Sequence, residues 1–291
     1  MCWNSYGSYM TISHCFPVGN FWTSRIRRRV SRLITIGTAG YVYDDWVGPF
    51  YPPDLDRREW LEYYAETFDF TEVNSTFYRL PNPFMLARMA EKTPAGFRFA
   101  IKAYRGITHD RQNVEDACKA LTDAVVPLAE DDKLACILVQ FPSSYRNNLE
   151  NRRYLRDISK YLEVYPTNVE FRHRSWAEPA VFSYLQDLNL GYVCVDEPKF
   201  ATLMPPLVKA TTPPAYVRFH GRNYEKWWNH QEAYERYNYL YSIEELAEWV
   251  PQLQSLEKDV GAVYVAMNNH YQAKAAINGK MLKDLLVSTS D

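Results

Sequence analysis

From Leu33 onward, short apolar runs alternate with amphipathic stretches, and the alternation repeats eight times. Leu33–Thr38, Phe70–Ser75, Phe97–Lys102, Leu134–Phe141, Thr167–Arg172, Gly191–Asp196, Ala215–His220 and Ala262–Asn268 read as strands. Leu134–Phe141 is almost uninterruptedly apolar, as expected of a parallel strand covered on both faces. Helix signals lie between these runs. Asp56 with Glu59, Ser175 with Glu178 and Ser242 with Glu245 have capping-box spacing. They predict helices running to Thr67, to Leu188 and through Leu246, Val250 and Leu253, the last kinked by Pro251. Pro83 suits the first residue of a helix. Further helices are expected over Val114–Leu128, Leu149–Leu162 and Gln272–Leu286.

Eight strands, nearly all followed by a helix, predict an α/β chain folded as a TIM (β/α)8-type barrel. We read one domain over residues 33–288, preceded by an N-terminal extension, 1–32. An open doubly wound sheet is the rival, but it usually stops at about six strands. There is no G-x-G-x-x-G after the first strand and no G-x-x-x-x-G-K-[ST] anywhere, so the common nucleotide-binding signatures are absent.

Two connections depart from the repeat. Glu197–Pro214 carries five Pro and is expected to hold little helix. Arg222–Ser242 carries seven aromatics and follows a strand. A connection that long in a compact domain is usually functional. It is expected either to lie over the barrel mouth as a lid or to pack its rings permanently on the barrel surface.

Composition narrows the class. The 291 residues are 47% hydrophobic and 23% charged, with a net charge of -2, which excludes disordered and collagen-like chains. No apolar run approaches the ~18 residues of a membrane-spanning helix, so a soluble, cytoplasmic protein is expected. Five Cys, odd in number and without C-x-x-C, make neither a disulfide framework nor a thiolate zinc site. The first 32 residues hold five Arg and no acid, so the rest of the chain is acidic. That lowers the weight of nucleic-acid binding. The extension reads as a dispensable or wrongly assigned upstream stretch, as a presequence for organellar import, or as a basic anchor for a polyanion.

In such a barrel the site is built at the C-terminal strand ends, and here each strand end is polar. The first gives Thr38 and Tyr41; the second gives Glu72, Asn74 and Tyr78. Then come Lys102, Gln140, Glu170 with Arg172 and His173, Asp196, Arg218 with His220 and Arg222, and Asn268 with Asn269. Alternation along a strand puts Glu72 with Asn74, Glu170 with Arg172, and Arg218 with His220 on common faces. If those faces point inward, one cavity gathers acids, bases and an imidazole.

The candidate catalytic groups are Glu170, Asp196, Lys102 and His220. Glu170 and Asp196 read as an acid/base pair. Lys102 reads as an amine nucleophile if burial lowers its pKa, or otherwise as a counterion of Glu72 or Glu170. Lys102, Arg172 and Arg218 would hold negative charge, with Arg218 alternatively a structural counterion of Glu170. Asn74, Gln140, Asn268 and Asn269 would read hydroxyls. Trp176, Tyr239, His173 and Arg222 complete the expected binding set, and His270 adjoins it. No cofactor is expected. Glu72, Glu170, Asp196 and His220 are ligand types for a divalent metal, but the cations of the same ring oppose one. The leading expectation is an enzyme acting on a small anionic, hydroxylated or phosphorylated molecule. The alternatives are a nucleic-acid processing protein whose aromatic segment stacks an extruded base, and a non-catalytic ligand sensor.

At these strand ends the sequence resembles the domain of unknown function 72 family, the YecE-like TIM barrels. The matching stretches include IGTAGY at Ile36–Tyr41, FYPP at Phe50–Pro53, TEVNSTFY at Thr71–Tyr78 and FRFAIKA at Phe97–Ala103. Further on stand VEFRHRSW at Val169–Trp176, YVRFHGR at Tyr216–Arg222, Tyr239 with SIEEL at Ser242–Leu246, and YVAMNNH at Tyr264–His270. Met267 stands where the family more often has an aromatic. The resemblance runs from about Leu33 to Leu286. It implies a TIM barrel and supplies no activity.

Overall fold

The computed structural model describes residues 33–288; the N-terminal extension lies outside the described residues. Eight parallel strands close in chain order: β1 Leu33–Ala39, β2 Phe70–Val73, β3 Arg98–Lys102, β4 Leu134–Gln140, β5 Thr167–Glu170, β6 Gly191–Asp196, β7 Ala215–Phe219 and β8 Ala262–Met267. β1 completes the ring against β8, with Leu33 opposite Ala262 and Thr38 opposite Met267. The eight-strand barrel expected from the pattern is the fold observed.

Alternation sets two environments along every strand. Inside the barrel, Phe70 lies between Tyr216 and Tyr264, with ring centroids 6.0 and 5.0 Å away. This aromatic layer closes the lower interior and lets the next layer, toward the strand C-termini, be charged. β1 approaches β2 closely here. A Cβ on Gly37 would sit 1.9 Å from the Phe70 carbonyl oxygen, so only glycine fits. Outside, the strands bury apolar residues under helices. Phe171 stacks on Trp176 at 4.2 Å, and Phe141 on Tyr145 at 3.8 Å.

Local signals were realised unevenly. Ser242 and Glu245 form the expected capping box. Pro251 breaks rather than kinks its helix: Ile243–Ala247 stops, and Val250–Val260 begins with Pro in its first turn, where no amide hydrogen is needed. The stretch expected as one helix over Val114–Leu128 likewise divides into Val114–Ala124 and Val126–Glu130, with Pro127 in the first turn of the second. Asp56 caps Arg58 N at 2.8 Å, opening a short 3-10 turn ahead of the helix Trp60–Thr67. Ser175 does not cap the helix Pro179–Asp187, which opens without a side-chain cap. Its Oγ accepts from Asn147 N at 2.8 Å instead, a tertiary contact that outcompetes the local one. Glu197–Pro214 holds no helix, as expected. Among the described residues no helix is long and apolar enough to cross a membrane.

Candidate functional site

The strand C-termini and following loops enclose a cavity of about 560 Å³. β2 delivers Glu72 and, just beyond it, Asn74. β3 delivers Lys102, β4 Gln140, and β7 Arg218; Arg172 follows β5 and Asn268 follows β8. Tyr41, Tyr43, Phe77, Tyr78, Met85 and Met89 form much of the remaining wall, joined by Tyr237 and His270. Charges, amides and aromatic faces thus meet in one enclosure. It is lined by nine of the side chains expected at the site: Tyr41, Glu72, Asn74, Tyr78, Lys102, Gln140, Arg172, Arg218 and Asn268.

A charge network forms the cavity floor. Arg218, about 1% exposed, donates from Nη2 to Glu72 Oε1 at 2.7 Å and from Nη1 to Glu170 Oε2 at 2.5 Å. The Tyr216 hydroxyl donates to Glu72 Oε2 at 2.8 Å. Arg172 pairs with Glu170 and, through Nη1, with Glu197 Oε2 at 3.3 Å. Removing a buried charge from water is expensive, so such groups persist only when paired and hydrogen-bonded.

This packing sets the proton occupancies. Burial pushes the Glu170 carboxyl up, but the Arg172 and Arg218 guanidiniums and His220 outweigh it and hold it well below the usual carboxylate range. Burial, aided by Arg172, lowers His220 to about 3, leaving a neutral imidazole. Its Nδ1 receives the Asn268 amide at 2.9 Å, so the ring hydrogen is assigned to Nε2, which lies 3.3 Å from Glu170 Oε1. Glu197 is raised to about 7 by burial, against the pull of Arg172.

Lys102 differs from these groups. Its ammonium lies 4.8 Å from the Phe77 ring centroid and makes no ion pair among the described residues. Burial, reinforced by Arg218, lowers it to about 8, with Glu72 and Glu170 acting in the opposite direction. The counterion role expected for Lys102 belongs instead to Arg218. Of the two readings of Arg218, its clamp on two carboxylates matches the structural counterion, while its side chain also lines the cavity.

Several expected site residues do not reach the cavity. Asp196 faces the surrounding helices, where it accepts from Arg222 at 2.9 and 2.7 Å, from the Tyr241 hydroxyl at 2.7 Å and from Trp249 Nε1 at 2.9 Å. Its strand phase aims it away from the interior, so it cannot pair with Glu170 in proton transfer. Glu170 itself lies beneath the cavity wall, ionised and saturated with cations. His220 is buried below Asn268 and is absent from the lining. Arg222 and Tyr239 both bind Glu245, at 3.1 and 2.7 Å. Asn269 donates to the Tyr239 carbonyl and Asn278. Thr38 bonds the Tyr64 hydroxyl at 2.8 Å, Trp176 donates to the Tyr145 carbonyl at 2.7 Å, and His173 caps Ser175 N at 3.1 Å. All nine lie outside the cavity lining.

The aromatic segment Arg222–Ser242 fits both of its readings in part. Trp227 and Tyr241 are buried, Trp228 is half exposed, and only Tyr237 of the seven aromatics lines the cavity. Sequence reasoning missed Tyr43, which lines the cavity, and Glu197, which pairs with Arg172 outside the lining, whereas Tyr237 belongs to the aromatic segment read as a lid or as surface packing. Tyr43 stands two positions beyond Tyr41, and Glu197 directly follows Asp196, so a one-residue change of phase would have found Glu197. His270, expected to adjoin the mouth, lines it and stacks on Tyr43 at 4.6 Å. Among the described residues no group of three or more His, Cys, Asp or Glu side chains is arranged to hold a metal.

Fold and site together define a (β/α)8 barrel with a charged cavity at the C-terminal strand ends. Residues 35–291 match the family model described as "Protein of unknown function DUF72", and the chain belongs to that family. It is 31% identical to UPF0759 protein YunF of Bacillus subtilis (strain 168) over 272 residues, 87% of this chain and 95% of that protein. The crystal structure of a DUF72 family protein from Thermotoga maritima superposes with a TM-score of 0.81 at 35% identity, covering 88% of this chain and 99% of that one. A DUF72 family protein from Enterococcus faecalis V583 gives 0.78 at 26% identity, covering 88% and 96%.

Proposed function

We propose that this protein is an enzyme acting on a small anionic, hydroxylated molecule held in the cavity at the strand C-termini. The observation that carries the reading is Lys102: a cation at the cavity wall that no carboxylate neutralises, beside two guanidiniums that are neutralised. A ligand carboxylate or phosphate would supply the missing partner, and such charge-assisted contacts are the strong ones. The amides of Asn74, Gln140 and Asn268 suit hydroxyl groups, and Asn74 Oδ1 is buried without a partner. An unpaired buried acceptor costs free energy that a ligand hydroxyl would recover. Phe77, Met85 and Met89 give the ligand an apolar side.

The test is a thermal-shift series of the full-length chain with sugar phosphates, small carboxylates and their uncharged counterparts. A true ligand bound at 100 times its Kd adds about 2.7 kcal/mol. The reading expects a charged compound to raise the melting temperature, with the rise lost in Lys102→Ala. A response shared equally by uncharged analogues, or kept in Lys102→Ala, would overturn it.

A further inference from the structure

We propose that the Lys102 amine condenses with the carbonyl carbon of a small 2-oxo acid, forming an imine in the cavity. The inference rests on the reading above and deepens it by naming the chemical class of ligand. Two lysines of the same barrel differ in their surroundings. Lys133 is buried and has hydrogen-bond partners: its ammonium donates to the Ala90 carbonyl, to the Thr93 carbonyl at 2.7 Å and to Thr93 Oγ1 at 3.0 Å. A structural lysine settles in this way. Lys102 has neither a hydrogen bond nor an ion pair to its ammonium among the described residues, although it lines a cavity with two carboxylates beneath. Those carboxylates, Glu72 and Glu170, are claimed by Arg218 and Arg172.

The groups that act electrostatically on Lys102 are Arg218, Arg172, Glu72 and Glu170, and Lys102 in turn acts on His109. Burial disfavours the ammonium form most, and the guanidiniums add to this against the pull of Glu72 and Glu170. An amine that ionises near 8 is partly free at neutral pH, which is what a nucleophilic lysine requires. The lone pair on Nζ adds to the carbonyl carbon, and the C=O π electrons move to oxygen, which takes a proton. The nitrogen releases a proton, the carbinolamine expels its hydroxyl as water, and the C=N bond forms. Nothing is oxidised or reduced. His270 lines the same cavity, with Nδ1 buried and unpartnered. Burial holds its pKa below the ordinary histidine value, which favours the neutral imidazole; the proton released by nitrogen passes to solvent in the cavity, and the departing hydroxyl takes one back. A carboxylate next to the carbonyl would lie beside the protonated imine, whose positive charge it would balance, which fits a 2-oxo acid.

The experiment treats the full-length chain with pyruvate and sodium cyanoborohydride near pH 8, then maps adducts by peptide mass spectrometry. Lactate, which lacks the carbonyl, is run in parallel in the melting assay. The expected result is one adduct per chain at Lys102, forming about tenfold faster than at exposed Lys258. That factor reflects the larger free-amine fraction of a group ionising near 8. Lys102→Met and Lys102→Arg, each confirmed folded by its melting transition, should lose that adduct. Equal labelling of surface lysines while pyruvate and lactate both raise the melting temperature would overturn the imine and leave the anion site standing. Absence of both the adduct and any shift would overturn the imine and count against the anion site too.

Discussion

Arg218 and Glu72 stand 146 positions apart in the chain, yet their side chains meet at 2.7 Å in the barrel interior. The same guanidinium reaches Glu170 with its other terminal nitrogen. One cation thus joins β7 to β2 and β5 across the cavity floor.

Removing it should be costly. Arg218→Met leaves two buried carboxylates short of a partner, and breaking a buried pair costs about 3–5 kcal/mol. Denaturant unfolding should show a loss of that order. Adding Glu72→Met should recover part of it, because Glu170 keeps Arg172. A single variant as stable as the wild type would remove Arg218 from its structural role.

Lys102→Met should act in the opposite direction. Burial lowers the folded pKa of Lys102 to about 8, below its unfolded value of about 10.4. Between those values the unfolded chain binds more protons, so the native lysine destabilises the fold below pH 8, and the penalty fades as pH rises toward 10.4. The variant should therefore melt higher than wild type at pH 7, with the advantage shrinking between pH 8 and 10.4. An advantage independent of pH would mean that Lys102 carries no such penalty.

Asp196 should prove structural. Its carboxylate receives the Trp249 indole, the Tyr241 hydroxyl and the Arg222 fork. Asp196→Ala strands these donors and should cost about 3 kcal/mol. Any ligand that shifts the wild-type melting temperature should shift the variant's by a similar amount. Loss of the ligand response in a variant that remains folded would return Asp196 to the site.

In the aromatic segment, Tyr237 should matter for ligands and Trp228 should not. Tyr237→Ala removes part of the cavity wall, whereas Trp228 contacts Phe200 and Arg236 away from the lining. Titration should show weaker binding by about tenfold in Tyr237→Ala, about 1.4 kcal/mol, and unchanged binding in Trp228→Phe. The reverse order would relocate the part of the segment that meets the ligand.

Residues 33–291 should fold without the extension. β1 pairs from Leu33 onward and the barrel closes with it. The shortened chain should melt within a few degrees of the full one, as read by circular dichroism. A large drop would tie the extension to the domain.

The order of elements was legible in the sequence because strands and helices follow from local periodicity: eight apolar runs, each ending in polar residues, have few folds open to them. The polar strand ends also marked the end of the barrel at which the cavity lies. Which of two adjacent polar residues turns toward the charge network was not local. Asp196 and Glu197 are neighbours in sequence, yet one is held among the outer helices and the other lies against Arg172. A one-residue change of strand phase exchanges inside for outside, and that phase is set by register against neighbouring strands. The pairing of charges was equally hidden. Sequence placed Lys102 and Arg218 as equivalent cations; closure of the ring brought Arg218 between two carboxylates and left Lys102 with neither. The chain determined which charges gather at the mouth, and only the closed barrel decided which of them stay unpaired, because pairing depends on distances across the ring that local sequence does not encode.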